Sequence, residues 1–74
     1  MQQGTIACYD RALEINPRDA MAWNNKGIAE EMLNRTQEAI SSYKNCLGLA
    51  SGRDAALIAH IRERLEELEG KHLN

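Results

Sequence analysis

Apolar residues return every three or four positions along this chain, the spacing that lines one face of a helix, and no stretch alternates with the period of two that marks a strand. The pattern is also written twice. A shift of 34 residues places Ile6 on Ile40, Tyr9 on Tyr43, Leu13 on Leu47 and Ala22 on Ala56. Similar pairs lie between them: Thr5 with Ala39, Ala12 with Cys46, Ile15 with Leu49 and Trp23 with Leu57. One apolar face at a fixed period predicts stacked copies of a single helical unit, because one unit alone cannot bury that face.

Breakers divide the chain into four helices. Asn16-Pro17 ends the first, Gln2 to about Asn16, since proline has no N–H for the helical ladder and disfavours helical geometry in the residue before it. The second is expected from Asp19, as N-cap, to Leu33, with Asn34 closing it in a left-handed conformation. Thr36 is expected to cap a third helix running to about Ala50, before Ser51-Gly52; Asp54 starts a fourth, and Gly70 stops it. Turns this short force successive helices to lie antiparallel and side by side. The expected architecture is therefore all-α, a stack of helical hairpins.

On these residues the chain resembles the tetratricopeptide repeat family. Between Ala20 and Arg53 it carries Trp23, Gly27, Ala39, Tyr43 and Cys46 at the spacings where that family places its Trp, Gly, first Ala, aromatic and second Ala. Pro17 stands where the preceding repeat would place its closing proline, and the run from Cys8 through Pro17, followed by Ala22-Trp23-Asn24-Asn25-Lys26-Gly27, is similar to family sequences. The resemblance implies a right-handed stack of antiparallel hairpins in a single domain over 1–74. Residues 1–17 would be the second helix of a partial repeat, 20–53 a complete repeat and 54–70 a C-terminal capping helix.

Each anchor also has a physical role apart from the family name. Gly27 lets the second helix approach the third closely near Ala39, at about 1 kcal/mol of helix propensity. Trp23 and Tyr43 supply large apolar bodies whose polar tips need partners. Three departures stand out. Lys26 and Glu30 occupy inward-leaning positions and read as a solvated or intrahelical pair; Ser51 replaces the second closing proline; Ile61 replaces the glycine expected in the fourth helix. Leu57, Ile58, Ile61, Leu65 and Leu68 form the docking stripe of that helix, while Arg62, Glu63, Arg64, Glu66, Glu67 and Glu69 are expected to face away from it. The first helix lacks the hairpin partner its pattern implies, so Ile6, Tyr9 and Leu13 are expected to be partly uncovered. That predicts either a piece of a longer array or a homodimer through the exposed first helix.

In stacked hairpins the first helix of each pair lines a groove. The resemblance implies that Met21, Asn24, Asn25, Ile28 and Glu31 on the second helix face this groove, opposite Ala55, Ile58, Ala59 and Arg62 on the fourth. Asn24 and Asn25 would hydrogen-bond an extended peptide backbone, and Ile28 and Ile58 would offer apolar contact. Family members that grip C-terminal carboxylates of chaperones use Lys, Arg and Asn on successive groove helices. Here only Asn25 and Arg62 are suitably placed, so carboxylate gripping is not expected.

Composition narrows the function further. A net charge of −2 gives no attractive field for phosphate backbones, which argues against nucleic acid. No apolar run approaches the roughly 20 residues a bilayer span needs, and Met1-Gln2-Gln3-Gly4 does not begin a secretory signal, so a cytoplasmic chain without membrane contact is expected. Cys8 and Cys46 show no CxxC spacing, and His60 and His72 lack partners at triad or metal spacing; no metal, cofactor or catalytic group is expected. The acidic positions Glu66, Glu67 and Glu69 read as a solvated helix face. The reading that results is a non-catalytic adaptor offering a groove to a peptide or helix of a partner protein. Its alternative is a structural cap or self-association element with no ligand of its own.

Overall fold

A computed structural model describes residues 2–70, with side chains from Gly4 onward. It contains four helices: α1 (Gln2–Ile15), α2 (Ala20–Met32), α3 (Thr36–Leu49) and α4 (Ala55–Glu69). Each packs on its neighbour in sequence, α1 on α2, α2 on α3 and α3 on α4. The backbone spans 39 × 30 × 14 Å. The smallest extent is what two helix layers give, with axes about 8–10 Å apart and a Cα radius of about 2.3 Å on either side. The side chains of α2 and α4 meet across one face of this slab, as the Glu31–Arg64 pair shows.

The helix ends follow from local chemistry, with one correction to the sequence reading, at Thr36. Asp19 caps α2 as expected, its Oδ1 accepting from the Ala22 N–H at 3.2 Å. Asn34 takes φ 61°, and the Arg35 N–H then reaches back to the Glu30 carbonyl at 2.8 Å, so a left-handed residue closes α2 and satisfies an end carbonyl. Gly70 ends α4 at φ 70°. Thr36, however, is the first residue inside α3 and not its cap; Arg35 holds the cap position and makes no side-chain cap bond. Asp54 stands at the cap of α4, but its carboxylate turns back to the Ser51 N–H and hydroxyl, each at 3.2 Å, and so braces the turn instead of the helix.

The core lies between α3 and α4: Ala39, Ile40, Tyr43, Cys46, Ile61 and Leu65 form one buried cluster, with Trp23, Leu47, Leu57 and Leu68 packed against it. Gly27 makes the close approach that its position predicts, but the partner is the Tyr43 ring. A methyl group at Gly27 would stand 2.8 Å from Tyr43 Cε1 and 2.9 Å from Cδ1. The Trp23 indole N–H donates to the Pro17 carbonyl at 3.0 Å, so the proline that ends one helix also anchors the next.

The expected exposure of the first helix is overturned at two of its three residues. Ile6 and Leu13 are buried against the rest of the chain, and only Tyr9 stays half-buried. Tyr9 and Tyr43 hold equivalent positions in the repeat, but Tyr43 is enclosed by α2 and α4 while no helix precedes α1 among the described residues. Among the described residues no helix is long and apolar enough to cross a membrane.

Candidate functional site

The face shared by α2 and α4 is where the sequence places a groove, and its residues divide into three kinds. Met21 is 53% exposed and Ile28 37% exposed, and Met32, one turn beyond Ile28, is 61% exposed. These three fall at positions i, i+7 and i+11, so they form one apolar stripe along α2, with Asn25, half-buried, between the first two. On α4, Ala55, Ala59 and Arg62 are exposed and Ile58 is half-buried. Met32 escaped the sequence reading, although its spacing from Ile28 was the available signal.

Asn24 is a correction. It is buried, 6% exposed, and its Oδ1 has no hydrogen-bond partner among the described residues, so it is not a surface group waiting for a peptide backbone. Its amide sits inside the packing, where an unpaired acceptor costs stability.

Glu31 is a second correction, because this groove residue is already engaged. Arg64 donates to it through both ends of its guanidinium fork, Nε to Oε1 at 3.3 Å and a terminal nitrogen to Oε2, and the Tyr43 hydroxyl donates to Oε1 at 2.7 Å. Arg64, expected to point away from the docking stripe, reaches instead from α4 to α2. A bidentate Arg–carboxylate pair fixes geometry as well as charge, so it sets the separation of the two groove helices. His60 stands edge-on to the Tyr43 ring, with centroids 6.4 Å apart, and closes the same corner; His72 lies outside the described residues.

The electrostatics of this corner have a definite direction. Burial pushes the Glu31 carboxyl up, but the Arg64 and Tyr43 donors together outweigh burial and hold it below the usual carboxylate range. Burial and the adjacent Glu31 carboxylate push the Tyr43 phenol well above its ordinary value. A depressed carboxyl contributes stability above its unfolded value of 4.5, and that contribution is lost as pH falls through the lower folded value. We therefore expect Glu31→Gln to lower stability at neutral pH by about 1 kcal/mol, the upper end for a partly solvated pair. The difference from the parent should shrink toward zero in melts taken progressively below pH 4.5. A constant difference across that range would mean that the ionised pair is not what Glu31 contributes.

A second polar group lies on the other side of α2. Of the two readings of Lys26 and Glu30, solvated or intrahelical, the pair is the intrahelical one, with its carboxylate buried. Glu30 is 2% exposed and accepts from the Ser42 hydroxyl at 2.7 Å, while the Lys26 ammonium lies 3.8 Å from Glu30, 2.8 Å from Asp10 on α1 and 5.2 Å from the centre of the Trp23 ring. Burial drives the Glu30 carboxyl above its ordinary value, and Ser42 and Lys26 only partly oppose it. Both thiols are free, Cys8 exposed and Cys46 buried. Burial also raises the Cys46 thiol. Among the described residues no group of three or more His, Cys, Asp or Glu is placed to hold a metal ion.

Comparison with known proteins agrees with this geometry. The chain is 44% identical over 45 residues to the peroxisomal targeting signal receptor of Kluyveromyces lactis, and 42% identical over 45 residues to that of Saccharomyces cerevisiae. Each match takes in 61% of this chain but only 8% and 7% of the respective receptors, so the chain spans less than a tenth of these relatives. No solved structure matches at a significant level. The family model described as tetratricopeptide repeat matches residues 8–41, across the end of α1, all of α2 and the start of α3. With the 34-residue period, the glycine–tyrosine contact and the four helices in agreement, the chain carries a tetratricopeptide repeat over residues 8–41.

Proposed function

We propose that this chain is a protein-interaction module whose α2–α4 face receives a peptide or helix of a partner protein. The observation that carries the reading is the exposed stripe of Met21, Ile28 and Met32 on a helix that buries Ala22, Gly27, Ala29 and Glu30 on its other sides. Exposed apolar side chains in a row on a soluble surface mark a place where something docks, and methionines adapt to varied apolar partners. Asn25 lies within the stripe and supplies a donor and an acceptor for a backbone. Arg62 and Ile58 flank the stripe from α4, and Glu31 acts by positioning α4 through Arg64 instead of touching the partner. The relatives named as receptors for a targeting signal fit a module that recognises a peptide. A non-catalytic role in the cytoplasm, as an adaptor within a larger protein, belongs to the same proposal.

The alternative is a structural cap or self-association element with no ligand of its own; self-association was expected from an uncovered stripe on α1, of which Ile6 and Leu13 are buried. The half-buried Tyr9 is what remains of that stripe, with Ile15, 83% exposed, at the end of α1. The test is a selection of displayed peptides on the parent chain, followed by affinity measurement on the pair Ile28→Asp with Asn25→Ala. Loss of about 30-fold or more in affinity, as for a hot spot worth about 2 kcal/mol, is expected with an unchanged melting temperature. Selected peptides that bind the variant equally well would refute the groove.

A further inference from the structure

The flank of the chain away from the proposed groove holds a feature that groove binding does not use. Between α2 and α3 lies an open cleft of about 410 Å³, walled by Trp23, Lys26 and Glu30 on α2 and by Gln37, Glu38, Ser41, Ser42 and Asn45 on α3. Its lining residues are polar types apart from Trp23, and one of them, Glu30, is almost entirely withdrawn from water.

Glu30 is short of compensation there. A buried carboxylate has room for about four hydrogen bonds, yet among the described residues one hydroxyl at 2.7 Å is its only donor at bonding distance. Its nearest cation, Lys26, sits 3.8 Å away because Asp10 holds the ammonium at 2.8 Å. The charges around the cleft come to three carboxylates, Asp10, Glu30 and Glu38, against two cations, Lys26 and Arg35, the latter 3.5 Å from Glu38. One negative charge is left over, and it is the least hydrated of the three.

The geometry points to a second binding site, in which this cleft takes up a basic side chain, arginine or lysine, of a peptide from a partner protein. The cation would complete the shell of Glu30, and Gln37, Ser41 and Asn45 would accept or donate to the remaining polar atoms. The protein already contains the model of such a contact: Lys26 lies over the Trp23 ring while its ammonium faces acidic oxygens. Arginine suits the site best, since its guanidinium is weakly hydrated, stacks on aromatic rings and offers paired donors to a carboxylate. The site is independent of the α2–α4 groove, because Met21, Ile28 and Met32 do not line it.

Trp23 is the only tryptophan in the chain and stands in the cleft wall, so its fluorescence reads occupancy directly. The experiment titrates the intact chain with Nα-acetyl-arginine amide, Nα-acetyl-lysine amide and, as the anionic control, Nα-acetyl-glutamate amide. A saturable change with the two cationic probes, at least tenfold weaker or absent with the anionic one, is expected. Glu30→Gln should weaken that response tenfold or more, and Glu38→Gln, which leaves the buried packing untouched, should weaken it by a few-fold. Ile28→Asp should leave it unchanged, which separates this site from the groove. A response that never saturates, that is shared by the glutamate probe, or that persists at full strength in both Glu30→Gln and Glu38→Gln overturns the proposal.

Discussion

Gly27→Leu is expected to unfold the α2–α3 hairpin. Even a methyl group at this position meets the Tyr43 ring at 2.8–3.0 Å, and the ring has nowhere to retreat. Tyr43 is fully buried, is packed among Ala39, Cys46 and Ile61, and is tethered through its hydroxyl to Glu31 at 2.7 Å. Alanine at this position would gain about 1 kcal/mol of helix propensity over glycine, set against an overpacking cost of about 1–3 kcal/mol. Leucine brings three more carbons to the same spot, so relief requires α2 and α3 to separate and Glu31 to release Tyr43. A domain of this size has only about 5 kcal/mol in hand, and forcing two packed helices apart costs about that much, so the unfolded state becomes the more populated one. Thermal melts followed by circular dichroism should show Gly27→Ala mildly to moderately destabilised and Gly27→Leu largely unfolded at 25 °C. A melting temperature for Gly27→Leu within a few degrees of the parent would mean that the glycine–tyrosine contact does not hold the hairpin.

The glycine was legible in the sequence because the repeat fixes its position, but its partner was not. Spacing along a helix says which residues share a face; it does not say which side chain from the next helix crosses above a given point. The same limit explains Arg64. Counted by helical period it belongs to the polar side of α4, yet an arginine stem is long enough to lie along the docking face and place its charge one helix away. Glu30 shows the limit from the other side: a carboxylate one turn from a lysine reads as a solvated or intrahelical pair, and its hydrogen-bond donor, Ser42, comes twelve residues later. Asn24 and Asn25 are adjacent, so they differ by about 100° around α2, and that rotation separates a buried amide from a half-exposed one. Caps fared better where the cue is conformational, at Asn34 and Gly70, than where it rests on a hydroxyl. Thr36 lies one residue too late to cap α3. Of the groove, the exposed line of α2 was readable; the ties that space it from α4 were not.

Ile61→Ala should release α4 while leaving the hairpin of α2 and α3 in place. Ile61 stands 34 residues after Gly27, at the position where the repeat would have a glycine. Glycine at position 27 admits a tyrosine, whereas isoleucine at position 61 is itself the inserted side chain, fully buried among Ala39, Ile40, Tyr43, Cys46 and Leu65. No further helix packs on α4 among the described residues, so nothing requires close backbone approach there, and a large side chain gives more buried area to the docking of α4 on α3. Truncation to alanine costs about 2–5 kcal/mol for a buried isoleucine, depending on how far the neighbours collapse. What else holds α4 is Leu65, the partly buried Leu57 and Leu68, and the pairs Arg64–Glu31 and Lys44–Glu69, the latter at 3.2 Å and half open to water. Exposed or partly exposed pairs contribute too little to replace the lost burial. Hydrogen exchange should therefore show protection falling by two orders of magnitude or more along α4, with a smaller loss in α2 and α3. Uniform loss across all four helices would mean that the chain unfolds as one unit with no separable last helix. The variant also bears on function, because Ile61 is buried and does not touch the exposed stripe of α2. A partner that needs both walls of the groove should bind Ile61→Ala at least tenfold more weakly, whereas a partner seated on α2 alone should not register the change.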